Sequence, residues 1–110
     1  MQANIEQTIL RNLLTDEKYM RKVLPFIKPD YFQGVYRSLF KEAGKYVAKY
    51  NKLPTAETLI IELDDSKSFT NDNYQMAVDI IPQLYTNDVI DNDWLLDATE
   101  KWCQDRAVYN

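Results

Sequence analysis

Between residues 35 and 50 the apolar side chains Tyr36, Leu39, Phe40, Ala43, Val47 and Tyr50 recur at steps of three and four. That period puts them on one face of a helix, and such a face must be buried. Helical spacing runs through nearly the whole chain, and nowhere do apolar and polar residues alternate as a strand requires. Only two glycines and four prolines interrupt it. A chain patterned this way closes a core by packing helix on helix. The expected fold is all-α: a compact bundle of about six helices, with a four-helix globular core followed by a C-terminal helical hairpin.

Capping residues and prolines set the boundaries. Asn4, with Gln7 three residues on, reads as a capping box opening a first helix with Ile5, Ile9, Leu10, Leu13 and Leu14 inward. Asp16 caps a second helix that buries Tyr19, Val23, Leu24 and Ile27 and is broken at Pro29-Asp30. Tyr31 and Phe32 fall in a short connection, and Gly34 precedes the long third helix. Pro54 stops the chain again, and Thr55 caps a fourth helix over residues 56–63. Residues 64–70 read as a polar loop. A fifth helix starts at Thr70 or Asn71 and runs through about Tyr85, kinked by Pro82 or with its last turn cut off there. A sixth starts at Asp91 to Asp93 and runs to the last residue. Residues 1–110 thus form one domain, with a core over about 4–65 and a hairpin over about 70–110. A chain of 110 residues is long enough to bury roughly 60–70% of its unfolded surface in one core.

The side-chain inventory argues against an enzyme. There is no histidine, which removes the commonest general base and the commonest zinc ligand. The single Cys103 allows no internal disulfide, points to a reducing compartment, and sits at helical spacing where packing is its expected role. No glycine-rich phosphate-cradling loop occurs. Asp64-Asp65 and Asp91-Asn92-Asp93 lack the glycine and distal glutamate of a common calcium loop and read as loop and cap residues. No catalytic, cofactor or metal site is expected, nor any signal peptide or membrane span.

Binding surfaces are the remaining candidates. The fifth helix has a core stripe of Tyr74, Ala77, Val78, Ile81, Leu84 and Tyr85, with Met76 and Ile80 on another side. The sixth has Trp94, Leu95, Ala98 and Trp102, with Leu96, Cys103 and Ala107 extending around it. Either this hairpin packs tightly on the rest, or it self-associates through Met76, Ile80, Tyr85, Trp94, Leu96 and Trp102, with the tryptophans as anchor. On the third helix Arg37, Lys41, Lys45 and Lys49 recur every four residues. Water, a phosphate backbone or an acidic protein surface can answer that row. Residues 1–52 hold ten Lys+Arg and five Asp+Glu, a balance of +5, while residues 53–110 hold three and twelve, a balance of −9. Complementarity within or between chains is the simplest account of that split, and DNA contact is expected to be weak or indirect.

Several segments, taken together, resemble the N-terminal domain of DnaB-type replicative DNA helicases. Ile5-Glu6-Gln7-Thr8-Ile9-Leu10, then Leu13-Leu14 and Asp16, is similar to that family's opening helix. Asp30-Tyr31-Phe32 looks like its Asp-Phe-Tyr or Asp-Phe-Phe segment, and Tyr36-Arg37-Ser38-Leu39-Phe40 like its His-Arg-x-Ile-Phe, with tyrosine for histidine. Leu53-Pro54-Thr55, Thr58-Leu59 and Leu63 look like its Pro-Val-Asp…Thr-Leu…Leu, so order and spacing agree over about residues 5–63. Beyond residue 65, Phe69-Thr70 through Tyr74 replaces the bacterial Gly-Gly-x-x-Tyr-Leu, while Trp102 with Asp105-Arg106 still resembles the final helix. These choices look most like the T-even-like phage branch. The resemblance implies that this chain is the non-catalytic part of an ATP-dependent helicase whose motor, with its ATP and Mg, lies after Asn110. It also implies assembly through the fifth and sixth helices as dimers within a hexamer, docking of primase and a loader, and the cytoplasm of a bacterial host. The end at Val108-Tyr109-Asn110, without a helix stop, fits a piece of a longer polypeptide. The rival expectation is a freestanding all-α phage adaptor or loader-like protein-interaction module.

Overall fold

The computed structural model describes residues 4–66 and 70–109, and among them there are six α-helices, two 3-10 turns and no strand. Helix α1 (Ile5–Thr15) opens where expected: Asn4 Oδ1 accepts from the backbone N–H groups of Glu6 at 2.9 Å and Gln7 at 3.4 Å. Only half of the capping box forms: Gln7 turns its side-chain Oε1 to the Tyr36 hydroxyl, which donates to it at 3.1 Å. Asp16 ends α1 and caps α2 (Glu17–Val23) by accepting from Tyr19 N at 3.1 Å. Helix α2 stops earlier than the sequence reading placed it. Pro25 has no N–H to return to Arg21, so the chain tightens into a 3-10 turn over Leu24–Phe26 instead of continuing to Ile27.

A second 3-10 turn at Pro29–Tyr31 leads to α3 (Val35–Tyr50), whose limits match the expected ones. Gly34, before the first turn, has φ 58° and ψ −132°, a combination that an L side chain resists. Asn51 ends the helix in the left-handed conformation and is held there by Arg21, which donates to its backbone oxygen at 3.0 Å and to its side chain at 3.3 Å. Thr55 caps α4 (Ala56–Asp65) through Thr58 N at 3.1 Å. Asp64 and Asp65 therefore belong to the last turn of α4, not to a loop. Acidic residues oppose the dipole at a helix C-terminus, and for that reason the sequence reads there as loop. Ser66 and Thr70 cap the helices on either side, and residues 67–69 of the expected 64–70 loop, Phe69 among them, lie outside the described residues, as does Asn110.

Thr70 caps α5 (Asn71–Leu84), which runs on through Pro82 as one helix. After a connection over residues 85–91, Asp91 Oδ1 accepts from Asp93 N and Trp94 N to cap α6 (Asn92–Tyr109). The core is one cluster. Phe32 lies at its centre, with its ring centroid 5.0 Å from Phe40 and 4.8 Å from Trp102, and Tyr31 meets Trp102 edge-on at 5.9 Å. The two residues expected in a mere connection are thus core residues. Where the sequence predicts a four-helix core followed by a hairpin, α5 is built into the core itself. It packs on α1, α3 and α4 through Ala77, Ile81 and Leu84, while α6 packs chiefly on the turn at Pro29–Tyr31. At the far end of α3, Tyr50 is 46% exposed and so leaves the stripe expected to be buried.

Candidate assembly and docking surfaces

Helix α6 meets the body along one line, Leu95, Thr99, Trp102 and Arg106, spaced by four, three and four residues. Leu95, Thr99 and Trp102 are buried. The Thr99 hydroxyl donates to Leu95 O at 2.7 Å, which uses its only hydrogen, so the 2.6 Å contact with Tyr19 has the Tyr19 hydroxyl donating to Thr99 Oγ1. Burial pushes the Tyr19 phenol up to about 12. Arg106 donates to Glu6 Oε2 at 3.2 Å, and Glu6 Oε1 accepts from Gln33 N at 2.8 Å. One half-buried to buried ion pair therefore ties α6 to the start of α1 and to the loop before α3.

Beside that line Leu96 and Cys103 also pack against the core, but only in part. Trp94 is 53% exposed, Val108 is exposed, and Leu96 and Cys103 are half-buried. Leu96, Cys103 and Ala107 form one wall of a groove of about 500 Å³, with Val23, Tyr31 and Phe26 on the other. Phe26 is 71% exposed and is not among the surface residues that helical periodicity marks. The available signal was Pro25, which ends α2 and turns the next side chain outward. Lys22 and Glu100 stand on the groove's rims. Burial raises the pKa of Cys103, so its thiol is an apolar lining group here.

The six residues expected on a self-association surface are not brought together. Trp94 and Met76 are exposed, at 53% and 51%, and Ile80 and Leu96 are half-buried. Met76 and Ile80 line none of the α6 groove, which only Leu96 enters. Tyr85 is turned inward, its hydroxyl donating to Pro54 O at 2.8 Å, and burial raises its pKa. Trp102 is 6% exposed and belongs to the core, so the expected pairing of Trp94 with Trp102 as an anchor gives way to Trp102 on Phe32. The sequence puts the two tryptophans eight residues apart on one stripe of α6; it does not show which side of α6 the body occupies.

The basic row on α3 is uneven. Arg37 is half-buried and donates through Nε to Phe32 O at 3.0 Å, so it serves the fold. Lys45 Nζ lies 3.4 Å from Glu42, and Lys49 lies 5.2 Å from the centre of the Tyr50 ring. Lys41 is exposed and has no such partner among the described residues. The charge split of the sequence is little used within the chain. Among the described residues, Arg11 with Asp88 at 3.8 Å is the one ion pair joining a base of the first half to an acid of the second. Also among the described residues, no group of three His, Cys, Asp or Glu is placed to hold a metal ion, and no helix is long and apolar enough to cross a membrane.

No protein-family model matches this chain. Among curated proteins, a DnaB-like replicative helicase of Enterobacteria phage T4 is 33% identical to it over 105 residues. The match takes in 94% of this chain and 22% of that protein, so the chain spans about a fifth of its relative's length. The likeness read from residues 5–63, and the phage branch it pointed to, thus extends over nearly the whole sequence.

Proposed function

We propose that this chain, a relative of a DnaB-like replicative helicase over nearly its whole length, is the non-catalytic N-terminal domain of such a helicase. Its work is to join subunits and to dock primase or a loader during DNA replication. The shared sequence is the observation that carries the reading. The exposed apolar groove beside α6 supports the assembly part: Phe26, Leu96, Cys103 and Ala107 offer a self-facing patch of the kind that two copies bury together. Met76 and Ile80, which lie off that groove, supply a separate adaptable apolar patch for primase or loader. ATP hydrolysis and Mg binding belong to a motor elsewhere in the longer protein.

Sedimentation of the domain alone and with its cognate primase tests the proposal. A concentration-dependent dimer is expected, reduced by Leu96→Asp without loss of helicity; a wild type that stays monomeric at high concentration overturns the assembly role. Reading the gene beyond Asn110 tests the rest. A Gly-x-x-x-x-Gly-Lys-Ser/Thr loop within a few hundred codons is expected, and an immediate stop codon would leave the freestanding adaptor.

A further inference from the structure

Helix α3 and the residues just after it carry most of the positive charge of the first half of the chain. Residues 35–52 hold five Lys+Arg (Arg37, Lys41, Lys45, Lys49 and Lys52) and one acid, Glu42, a balance of +4 out of the +5 of residues 1–52. Arg37 is engaged by Phe32 O, and Lys45 by the buried Glu42. Lys41, Lys49 and Lys52 are exposed and form no ion pair among the described residues. Like charges four residues apart repel, so this row costs the free molecule a little stability and favours an anionic partner.

Three features of the face select phosphates with bases attached over a surface of carboxylates. Lysines four residues apart are spaced about 6 Å along the helix axis, close to the length of one nucleotide in an extended single strand. Beside them lies an aromatic platform. Half-buried Tyr46 and exposed Tyr50 have ring centroids 4.7 Å apart, and Lys49 Nζ stands 5.2 Å from the centre of the Tyr50 ring. Lys41 and Lys45 also line a groove of about 440 Å³ with Pro29, Ser38 and Phe40, which has room for a nucleotide. Glu42, the one acid on that groove, is held by Lys45. An acidic protein surface uses the lysines and leaves the tyrosine pair idle.

We propose that the outer face of α3 is a weak, sequence-independent track for single-stranded nucleic acid. Lys41, Lys45, Lys49 and Lys52 follow the phosphates, and Tyr50, braced by Tyr46, stacks on a base. The track uses neither the α6 groove nor Met76 and Ile80, and it needs no nucleotide-driven motor. One domain makes few contacts, so its affinity falls in the range of non-specific binding, roughly 10⁻⁴–10⁻⁶ M at physiological salt. Copies held side by side on one strand bind more tightly by adding contacts.

Fluorescence anisotropy of a labelled single strand of 20 thymidines, titrated with the 110-residue chain, tests the proposal. Binding is expected in 50 mM NaCl, with a log–log salt slope of roughly −2 to −3 for three or four phosphate contacts. Lys41→Gln/Lys49→Gln is expected to weaken binding and to flatten that slope by roughly 1. Tyr50→Ala is expected to weaken binding roughly tenfold and leave the slope unchanged. An abasic strand of the same length is expected to bind wild type and Tyr50→Ala alike. Circular dichroism confirms that each variant folds. No change in anisotropy at protein concentrations well above the weakest expected Kd, or binding that neither variant moves, overturns the proposal. Polyglutamate bound as tightly as the strand, with Tyr50→Ala silent, also overturns it by giving the row to an acidic protein. Either failure leaves the α6 assembly reading standing, because none of these variants touches that groove.

Discussion

Gly34 and Gly44 are the only glycines, and the backbone asks opposite things of them. At Gly34 a Cβ meets nothing within 4 Å, so space is not the constraint; φ 58° with ψ −132° is. Gly34→Ala is expected to cost about 1–3 kcal/mol. Gly44 lies inside α3 with ordinary helical backbone and open space at its Cβ, so Gly44→Ala is expected to gain about 0.5–1 kcal/mol. Urea unfolding of both variants checks the opposite signs. Tyr19 makes a prediction of the same local kind. Its phenol holds a proton in the folded state up to about pH 12, whereas an unfolded chain releases it near 10. Between those values the native state binds more protons, so its contribution is fully present below pH 10 and is lost as pH rises toward 12. At roughly 1.4 kcal/mol per unit, Tyr19 costs the protein about 2–3 kcal/mol by pH 12. Tyr85 is raised for the same reason and adds in the same direction. A pH series of thermal midpoints is expected to drop above pH 10, and less steeply in Tyr19→Phe.

The helices themselves were legible because their signals are local. Asn4, Asp16, Thr55 and Thr70 each cap the helix that follows, and the limits of α3 follow from Gly34 and the apolar stripe. What a buried face packs against is not local. Ala77, Ile81 and Leu84 announce a buried stripe on α5, yet nothing in their spacing says that α1, α3 and α4 cover it in place of α6. The candidate surface failed for the same reason at Trp102 and Tyr85. Periodicity gives an angle around a helix; the direction of the body comes only from the fold. Trp102 also carries a cost that periodicity cannot show, since its Nε1 is the one buried side-chain polar atom without a hydrogen-bond partner among the described residues. An orphaned donor costs about 1–3 kcal/mol, while the ring fills the space between Tyr31 and Phe32. Trp102→Phe drops the donor and keeps a ring, so it is expected to lose little. Trp102→Ala is expected to lose about 3–5 kcal/mol and to loosen α6, checked by urea unfolding and by proteolysis of the 85–91 connection.

The placement of α5 also decides how the molecule holds together as a whole. If residues 4–65 were a finished core with a hairpin attached, residues 1–66 alone would fold. In the structure, removing residues 67–110 strips Ala77, Ile81 and Leu84 from α1, α3 and α4, takes Trp102 from Tyr31 and Phe32, and takes the buried Leu95 from the core. Each large apolar side chain lost from full burial forfeits about 1.5–3 kcal/mol, before any cavity term. Four such residues and an alanine approach or exceed the whole net stability of a small domain, about 5–15 kcal/mol. Residues 1–66 are therefore expected to show no cooperative unfolding transition by circular dichroism in urea, and the full chain a single one. A cooperative, strongly helical 1–66 fragment would restore the two-part architecture.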